Sequence, residues 1–600
     1  MRYLIITSLA TVVIFGISST RSRPPVDRSD QVVAYFLASS DTFFRSTTAL
    51  YAGIGLMDSS DRRSIDGAKE ALRTCRIKYK RISFFLEYFF PNQAKAYNAP
   101  PKYEAEEPFM EYEEPHGLQY IESMLFGGNP VQQQTALNDQ VRVIMESAKD
   151  LRSLVYHVSL SDAQIMESLR IELIRIMTLY IAGYDAPYLK SGIAESLESL
   201  RSLQQILLLY LSNAAQEDRI LSQAFQHAIF YLKNHPDFNS FDRLKFLSVY
   251  AIPVQHALGS LIDRKNLGMC SAPNLDYAKK DLFSGEIIGP EKKAAQKITS
   301  LGKKLFDEKA LSGNFTRACS GCHQPGKYYT DQLSSNISFD HRSNLRRNTP
   351  SLMYAAFQTA QFWDGRAKNL QDQIIMVLKS PEEMNNSIAA IEKRLNGMQT
   401  YKKLFKSAFA FKDSDTITIR EVASALGAFL RTLGTSTSDF DKYMQGNKKT
   451  LTPNQKKGFN LFMGKAQCGT CHFVPLFNGL TPPLFNRSEY EVLGVPASDH
   501  LNAAVEDKDS GRYAFFPSPF YRSAFKTPTL RNITKTNPYM HNGAFKSLAT
   551  VMDFYNRGGG AGLGIQMTNQ TLPREPLHLT KDEIKDIILF LGALIDKRLE

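Results

Sequence analysis

Cys319-Ser320-Gly321-Cys322-His323 and Cys468-Gly469-Thr470-Cys471-His472 are the two strings on which the reading of this chain turns. Both fit C-x-x-C-H, the attachment signature of a c-type haem. The two cysteines add across the haem vinyl groups, and the adjacent histidine becomes the proximal iron ligand. Cys319, Cys322, His323, Cys468, Cys471 and His472 are therefore the expected attachment residues of two covalently bound haem c groups, with His323 and His472 on iron. C-x-x-C pairs also build zinc ribbons and thioredoxin-like redox sites. A zinc ribbon would bring its two halves together, and these pairs lie 149 residues apart. A thioredoxin site needs no histidine after the second cysteine and sits in a βαβ pattern, which is absent. The other two cysteines, Cys75 and Cys270, are isolated and read as buried thiols rather than a disulfide.

The chain opens Met1-Arg2, then runs apolar from Tyr3 to Ile17 and turns small, polar and basic from Ser18 to Arg23. That layout reads as a signal peptide over residues 1–23, with an uncleaved N-terminal anchor as the alternative. The run is short for a bilayer span, and no other stretch is long and apolar enough to be one. Export to the periplasm agrees with haem c attachment. The 600 residues suggest three or four domains. A net charge of +12 is moderate for this length, and the propionates of two haems offset part of it. No basic run is interleaved with aromatics, so nucleic acid is not an expected partner.

The fold class reads as mainly α. From about Asp27 to Asp263, segments such as Ser161 to Ala182 and Ile193 to Asn213 carry apolar residues at three and four spacing. A helical bundle over 24–265 follows, then a mixed linker over 266–289. The two haem segments look like a diverged repeat of cytochrome c-like domains, 290–445 and 446–600. Gly302-Lys303-Lys304-Leu305-Phe306 precedes the first motif, and Gly458-Phe459-Asn460-Leu461-Phe462 precedes the second. Thr452-Pro453 supplies an N-cap and a proline at the first helical position. Thr580-Lys581-Asp582-Glu583 is a capping box that opens a last apolar helix.

Further blocks stand in order around the motifs. Between them lie Arg347-Asn348-Thr349-Pro350-Ser351-Leu352, Phe362-Trp363-Asp364-Gly365-Arg366-Ala367 and Pro381-Glu382-Glu383-Met384-Asn385. After the second come Thr527-Pro528-Thr529-Leu530-Arg531-Asn532, Pro538-Tyr539-Met540-His541-Asn542-Gly543 and Asp553-Phe554-Tyr555. With these blocks, residues from about 290 to 600 resemble the bacterial dihaem cytochrome c peroxidase and MauG family.

The resemblance implies unequal haems. The His323 haem corresponds to the one that reacts with hydrogen peroxide. Gln373, ten residues after Trp363, would hold bound peroxide, and Glu383, ten further on, would be the general acid–base. Without the resemblance, Glu383 reads as a solvated loop carboxylate beside Glu382. Trp363 is the only tryptophan. A lone indole usually packs a core, whereas in the family it lies between the haems and helps electrons pass. His341, 22 residues before Trp363, lies near the place of a distal histidine that oxidised members hold on this iron, and a surface-loop histidine is the competing reading.

The His472 haem would be the electron-entry haem. Its sixth ligand in well-known peroxidases of the family is a methionine 14 residues after the P-Y-x-H-x-G histidine. Here that place holds Tyr555, as MauG does, and the nearest methionine, Met552, is three residues early. A phenolate stabilises ferric iron, whereas methionine raises the potential. The family also implies a calcium ion between the haem domains, held by Asn348 and the carbonyls of Thr536 and Pro538.

The implied activity is reduction of hydrogen peroxide to water, with electrons from a small cytochrome c or copper protein. A MauG-like oxidase that modifies a protein substrate is the alternative, and a dihaem electron carrier a third reading. A homodimer is compatible with the resemblance. Within the N-terminal half, Gly117 to Gly127 resembles the G-x-H-x-x-E string of imelysin-like helical proteins, with Gln119 at the histidine place and Glu122 at the glutamate. That substitution favours a structural bundle over an intact metal site.

Overall fold

A computed structural model describes residues 27–106, 111–212, 214–267, 281–283, 296–412 and 414–597. The expected signal segment 1–23, Cys270 and most of the 266–289 linker lie outside the described residues. The architecture is mainly helical. Its strands, among the described residues, are two antiparallel ribbons, Glu104–Glu106 with Glu111–Glu113 and Tyr490–Val492 with Ala524–Lys526. No helix of the described residues is long and apolar enough to cross a membrane.

The N-terminal helices Arg28–Gly55, Arg62–Tyr79, Gln134–Lys149, Asp162–Arg175, Gly192–Leu207 and Gln216–Asn234 frame a bundle. Ser161 caps its helix by a reciprocal bond with Gln164, and that helix widens into a π-turn over Ile176–Tyr180. The bundle interior is unusually polar. Arg76 makes two bonds to Glu195, at 2.9 and 3.2 Å, and Lys80 pairs with Asp185 while lying 3.5 Å from the centroid of the Tyr180 ring. These four charges balance, as buried ions must.

Gln119 and Glu122 belong to this interior. The Gln119 amide donates to the Asn98 carbonyl at 2.9 Å. One Glu122 oxygen accepts the Tyr188 and Leu189 N–H groups, each at 2.8 Å, and the other is buried with no partner. Burial pushes this carboxyl up to about 7, against the pull of Arg76 and the two N–H donors. Among the described residues no group of three or more His, Cys, Asp or Glu side chains could hold a metal ion.

The two haem segments repeat one helix crossing. Gln296–Phe306 packs on Ile419–Leu430, and Pro453–Met463 packs on Lys581–Gly592. Thr452 and Thr580 cap their helices through reciprocal bonds with Gln455 and Glu583. Glycine makes each crossing close. A Cβ on Gly302 would run into the Ala425 carbonyl, and one on Gly458 into the Asp586 carbonyl.

The buried apolar core is not divided as the segments are. The first haem segment has its own core, from Leu301 and Leu305 to Leu430 and Leu433. The bundle and the second haem segment share one continuous core, running from Val32 through Phe283 and on to Phe459, Phe590 and Leu594. Polar contacts reinforce the join. Asn460 accepts the Leu244 N–H and donates to Asp242, both at 2.9 Å. Lys102 pairs with Glu489, and Tyr103 stacks on Phe520 at 3.8 Å.

Two outcomes follow. Gly458→Val is expected to lower stability in chemical denaturation by about 3 kcal/mol, because neither crossing helix can retreat without opening the core; Gly397→Ala, where a Cβ meets nothing within 4 Å, is the neutral control. For Glu122, the folded chain keeps a proton that the unfolded chain releases above the ordinary glutamate range. Its burial therefore costs stability as pH rises toward about 7. Glu122→Gln is expected to gain on the wild type by up to about 3 kcal/mol between pH of about 5 and about 8. A difference independent of pH would show that Glu122 is ionised throughout.

Candidate haem-binding cavity

Both C-x-x-C-H motifs open onto one cavity of about 810 Å³. Its apolar wall comes from the crossing helices. Phe306, Leu378, Leu426 and Leu430 line the part near the first motif, and Phe462, Met552, Ile587 and Leu591 the part near the second. The four motif cysteines carry no disulfide. Burial pushes the Cys319 and Cys468 thiols up to about 12, so neither is a ready thiolate.

Each histidine is prepared as an iron ligand by the backbone. His323 Nδ1 lies 3.1 Å from the Tyr329 carbonyl, and the ring also bonds the Pro350 carbonyl. His472 Nδ1 lies 3.1 Å from the Pro528 carbonyl and 3.2 Å from that of Phe477. An Nδ1–H donated to a carbonyl leaves Nε2 as the basic nitrogen, the arrangement that orients a ligating imidazole. Burial lowers the pKa of both rings, His472 to about 4, which keeps them neutral. These features, with the apolar wall, fit two haem groups. His323 also faces the Pro350 carbonyl, and His472 that of Pro528, from the repeated dipeptides Thr349-Pro350 and Thr527-Pro528, a contribution that sequence reasoning missed.

Gln373, Glu383 and Trp363 line the same cavity. Gln373 is carried by the helix Leu370–Lys379, capped by the Asn369 side chain. Burial raises the Glu383 pKa above the ordinary carboxylate range; a bond from Ser380 and the charges of Arg366 and Arg317 oppose it. The Trp363 indole N–H donates to the Asn348 carbonyl at 2.9 Å, and the Trp363 carbonyl accepts the Lys526 N–H at 2.7 Å. The tryptophan thus bridges the two haem segments.

Its neighbour Asp364 anchors a charged clamp. Arg347 bonds Asp364 at 2.6 Å and Asp509 at 2.7 and 2.9 Å, and Arg512 donates to the Asp364 carbonyl at 2.8 Å. Gly365 adopts φ +69°, and a Cβ there would strike the Tyr490 hydroxyl. Sequence reasoning did not find this clamp, since Asp509 and Arg512 belong to no block quoted above.

Tyr555 and Met552 stand one turn apart on the helix Leu548–Asn556, and both line the cavity. Burial holds the Tyr555 phenol above its ordinary range, and Cys471, Cys468 and Glu491 act on it in the same direction. A ferric iron would have to supply the charge that favours its phenolate. Asn348, Thr536 and Pro538 also reach the cavity wall. The Asn348 amide nitrogen donates to the Leu333 carbonyl at 2.8 Å, leaving its side-chain oxygen for a cation. One amide oxygen and two carbonyls are hard donors that fit calcium.

His341 is not brought to the cavity. It is exposed at φ +59° in a turn closed by the Ser338 N–H on the Ser343 carbonyl, at 2.8 Å. The turn presents the imidazole to solvent, and His341 is not among the residues that line the cavity.

The sequence model of the family described as di-haem cytochrome c peroxidase matches residues 296–449. The methylamine utilization protein MauG of Methylorubrum extorquens is 33% identical over 309 residues, 51% of this chain and 79% of that protein. The cytochrome c551 peroxidase of Nitrosomonas europaea is 31% identical over 305 residues, 50% of this chain and 79% of that protein. A crystal structure of a MauG-like protein associated with microbial copper homeostasis aligns with a TM-score of 0.43 at 27% identity, over 50% of this chain and 90% of that one. The paired motifs on one cavity and the two sequence relatives agree: the chain belongs to the family of di-haem cytochrome c peroxidases and MauG proteins.

Proposed function

We propose that this chain is an exported, periplasmic dihaem c-type peroxidase that reduces hydrogen peroxide to water. The observation that carries the reading is the meeting of Glu383 and Gln373 with the Cys319–His323 motif in one cavity that Trp363 and the Cys468–His472 motif also line. Residues 290–445 would hold the haem that reacts with peroxide, and 446–600 the haem that receives electrons. A small cytochrome c or copper protein would supply those electrons.

When bound, the haem on His323 supplies the iron that binds peroxide and passes two electrons into its O–O bond. The chain supplies the rest. Gln373 holds peroxide through its amide. Glu383, ionised, takes the proton from the inner peroxide oxygen and returns it to the outer oxygen, which leaves as water. The raised pKa of Glu383 brings it nearer the working pH, which suits a group that must both take and give a proton. Trp363 offers a conjugated path across the junction. Asn348, Thr536 and Pro538 would hold calcium, tying segments of both haem domains together.

Tyr555 favours a second reading. A half-buried tyrosine stands where a peroxidase of this family would present methionine, and it reaches the cavity near Cys468 and Cys471. A MauG-like oxidase, which uses peroxide equivalents to modify a protein residue at a distance, would have that ligand.

Steady-state peroxide consumption with a reduced small cytochrome tests the first reading; no turnover by a chain with an intact two-haem spectrum would sink it. Glu383→Gln is expected to slow peroxide consumption about 10²–10⁴-fold with both haems attached. It should also remove the acid limb of the pH–rate profile, which in the wild type falls as pH drops through a pKa above the usual glutamate value. Tyr555→Phe is expected to change the low-spin haem spectrum and its EPR signal. An unchanged spectrum would return the sixth position to Met552 or another group.

A further inference from the structure

A cavity that takes two haems must also take their carboxylates, since each haem carries two propionates. Most of its cations are already answered by the protein. Arg346 and Arg347 face Asp509, Arg347 and Arg366 face Asp364, and Arg531 grips Asp441 with two bonds, at 2.8 and 2.9 Å. Arg317 spends its donors on the carbonyls of Ile337, Ser338 and Glu383.

Lys526 differs. It lines the cavity and is only 8% exposed. Its ammonium bonds the Gln358 side-chain oxygen and, among the described residues, has no carboxylate within ion-pair distance. An ammonium carries three donors, and burying one without a counter-charge is costly. Burial alone acts on this group and lowers its pKa to about 8. The backbone beneath it is fixed. Lys526 sits opposite Tyr490 in the antiparallel ribbon and donates its N–H to the Trp363 carbonyl. It stands two residues before Pro528, whose carbonyl holds His472. The charge is therefore set in a rigid wall at the junction of the two haem segments.

We propose that Lys526 is a haem-carboxylate site: its Nζ pairs with a propionate of a haem c bound in this cavity, beside Trp363. The proposal rests on the haem reading above. The counter-ion is then the cofactor's carboxylate, and pairing with it offsets the cost of burying the ammonium. A cation next to a propionate also makes the nearby iron easier to reduce, because the pair presents less negative charge to it.

The test uses the full-length holoprotein. In Lys526→Met, with both haems attached by mass, the propionate-bending band of one haem in the resonance Raman spectrum is expected to move. The equilibrium constant for reducing that haem should fall about tenfold. Lys526→Arg should keep both values close to wild type. An unmoved band and unchanged reduction in Lys526→Met would overturn the proposal. If that variant does not accumulate, the crystal structure of the wild-type holoprotein decides: a propionate oxygen within hydrogen-bond reach of Nζ supports the site, and none there overturns it. A wild-type chain without covalently bound haem would instead overturn the haem reading, and this site with it.

Discussion

The Arg347 guanidinium between Asp364 and Asp509 is the contact on which the shared cavity depends. Arg347 and Asp364 flank Trp363 in sequence, while Asp509 comes from the far side of the second haem motif. Without that bridge, two cytochrome-like units would meet across a polar seam. With it, the tryptophan is held by the Asn348 carbonyl on one side and by the Lys526 N–H on the other. Mostly buried ion pairs of this kind add little net stability, because desolvation offsets much of the attraction. Their value here is geometric: one bidentate contact, Arg347 to Asp509, joins the two halves, while a single bond to Asp364 orients the guanidinium.

The same economy appears at each haem motif. The pentapeptide provides the covalent and iron-binding atoms, and backbone carbonyls outside it, Tyr329 for His323 and Phe477 and Pro528 for His472, orient the imidazole. Each crossing of helices likewise depends on one glycine that lets two backbones touch. The two halves thus solve one problem with the same parts, although their loops differ in length and in chemistry. The first part of the cavity is equipped with Gln373 and Glu383, the second with Tyr555, Met552 and Glu491.

Much of this was legible in the chain. The motifs, the Gly-x-x-Leu-Phe helices, the caps at Thr452 and Thr580, and the ordered blocks around Trp363 are local patterns, and local hydrogen bonding and packing realise them. What stayed hidden depends on contacts between residues far apart. Nothing near Asp509 says that it will meet Arg347, and nothing near Lys526 says that its ammonium will be buried without a carboxylate. His341 was placed near the cavity by its spacing from Trp363. The structure holds it in solvent because a short turn between Ser338 and Ser343, rather than spacing, decides where its side chain goes. The common core of the bundle and the second haem segment was invisible for a related reason: helical periodicity shows that a face is apolar, not which partner covers it.

That common core has a mechanical meaning. The bundle is packed into the second haem segment through that core, and Tyr354 and Phe440 carry the first haem segment into it as well. A displacement of the bundle would therefore be felt at the second haem segment through packed side chains. It would reach the first haem segment through Tyr354 and Phe440 in the same core and through the Arg347–Asp509 pair.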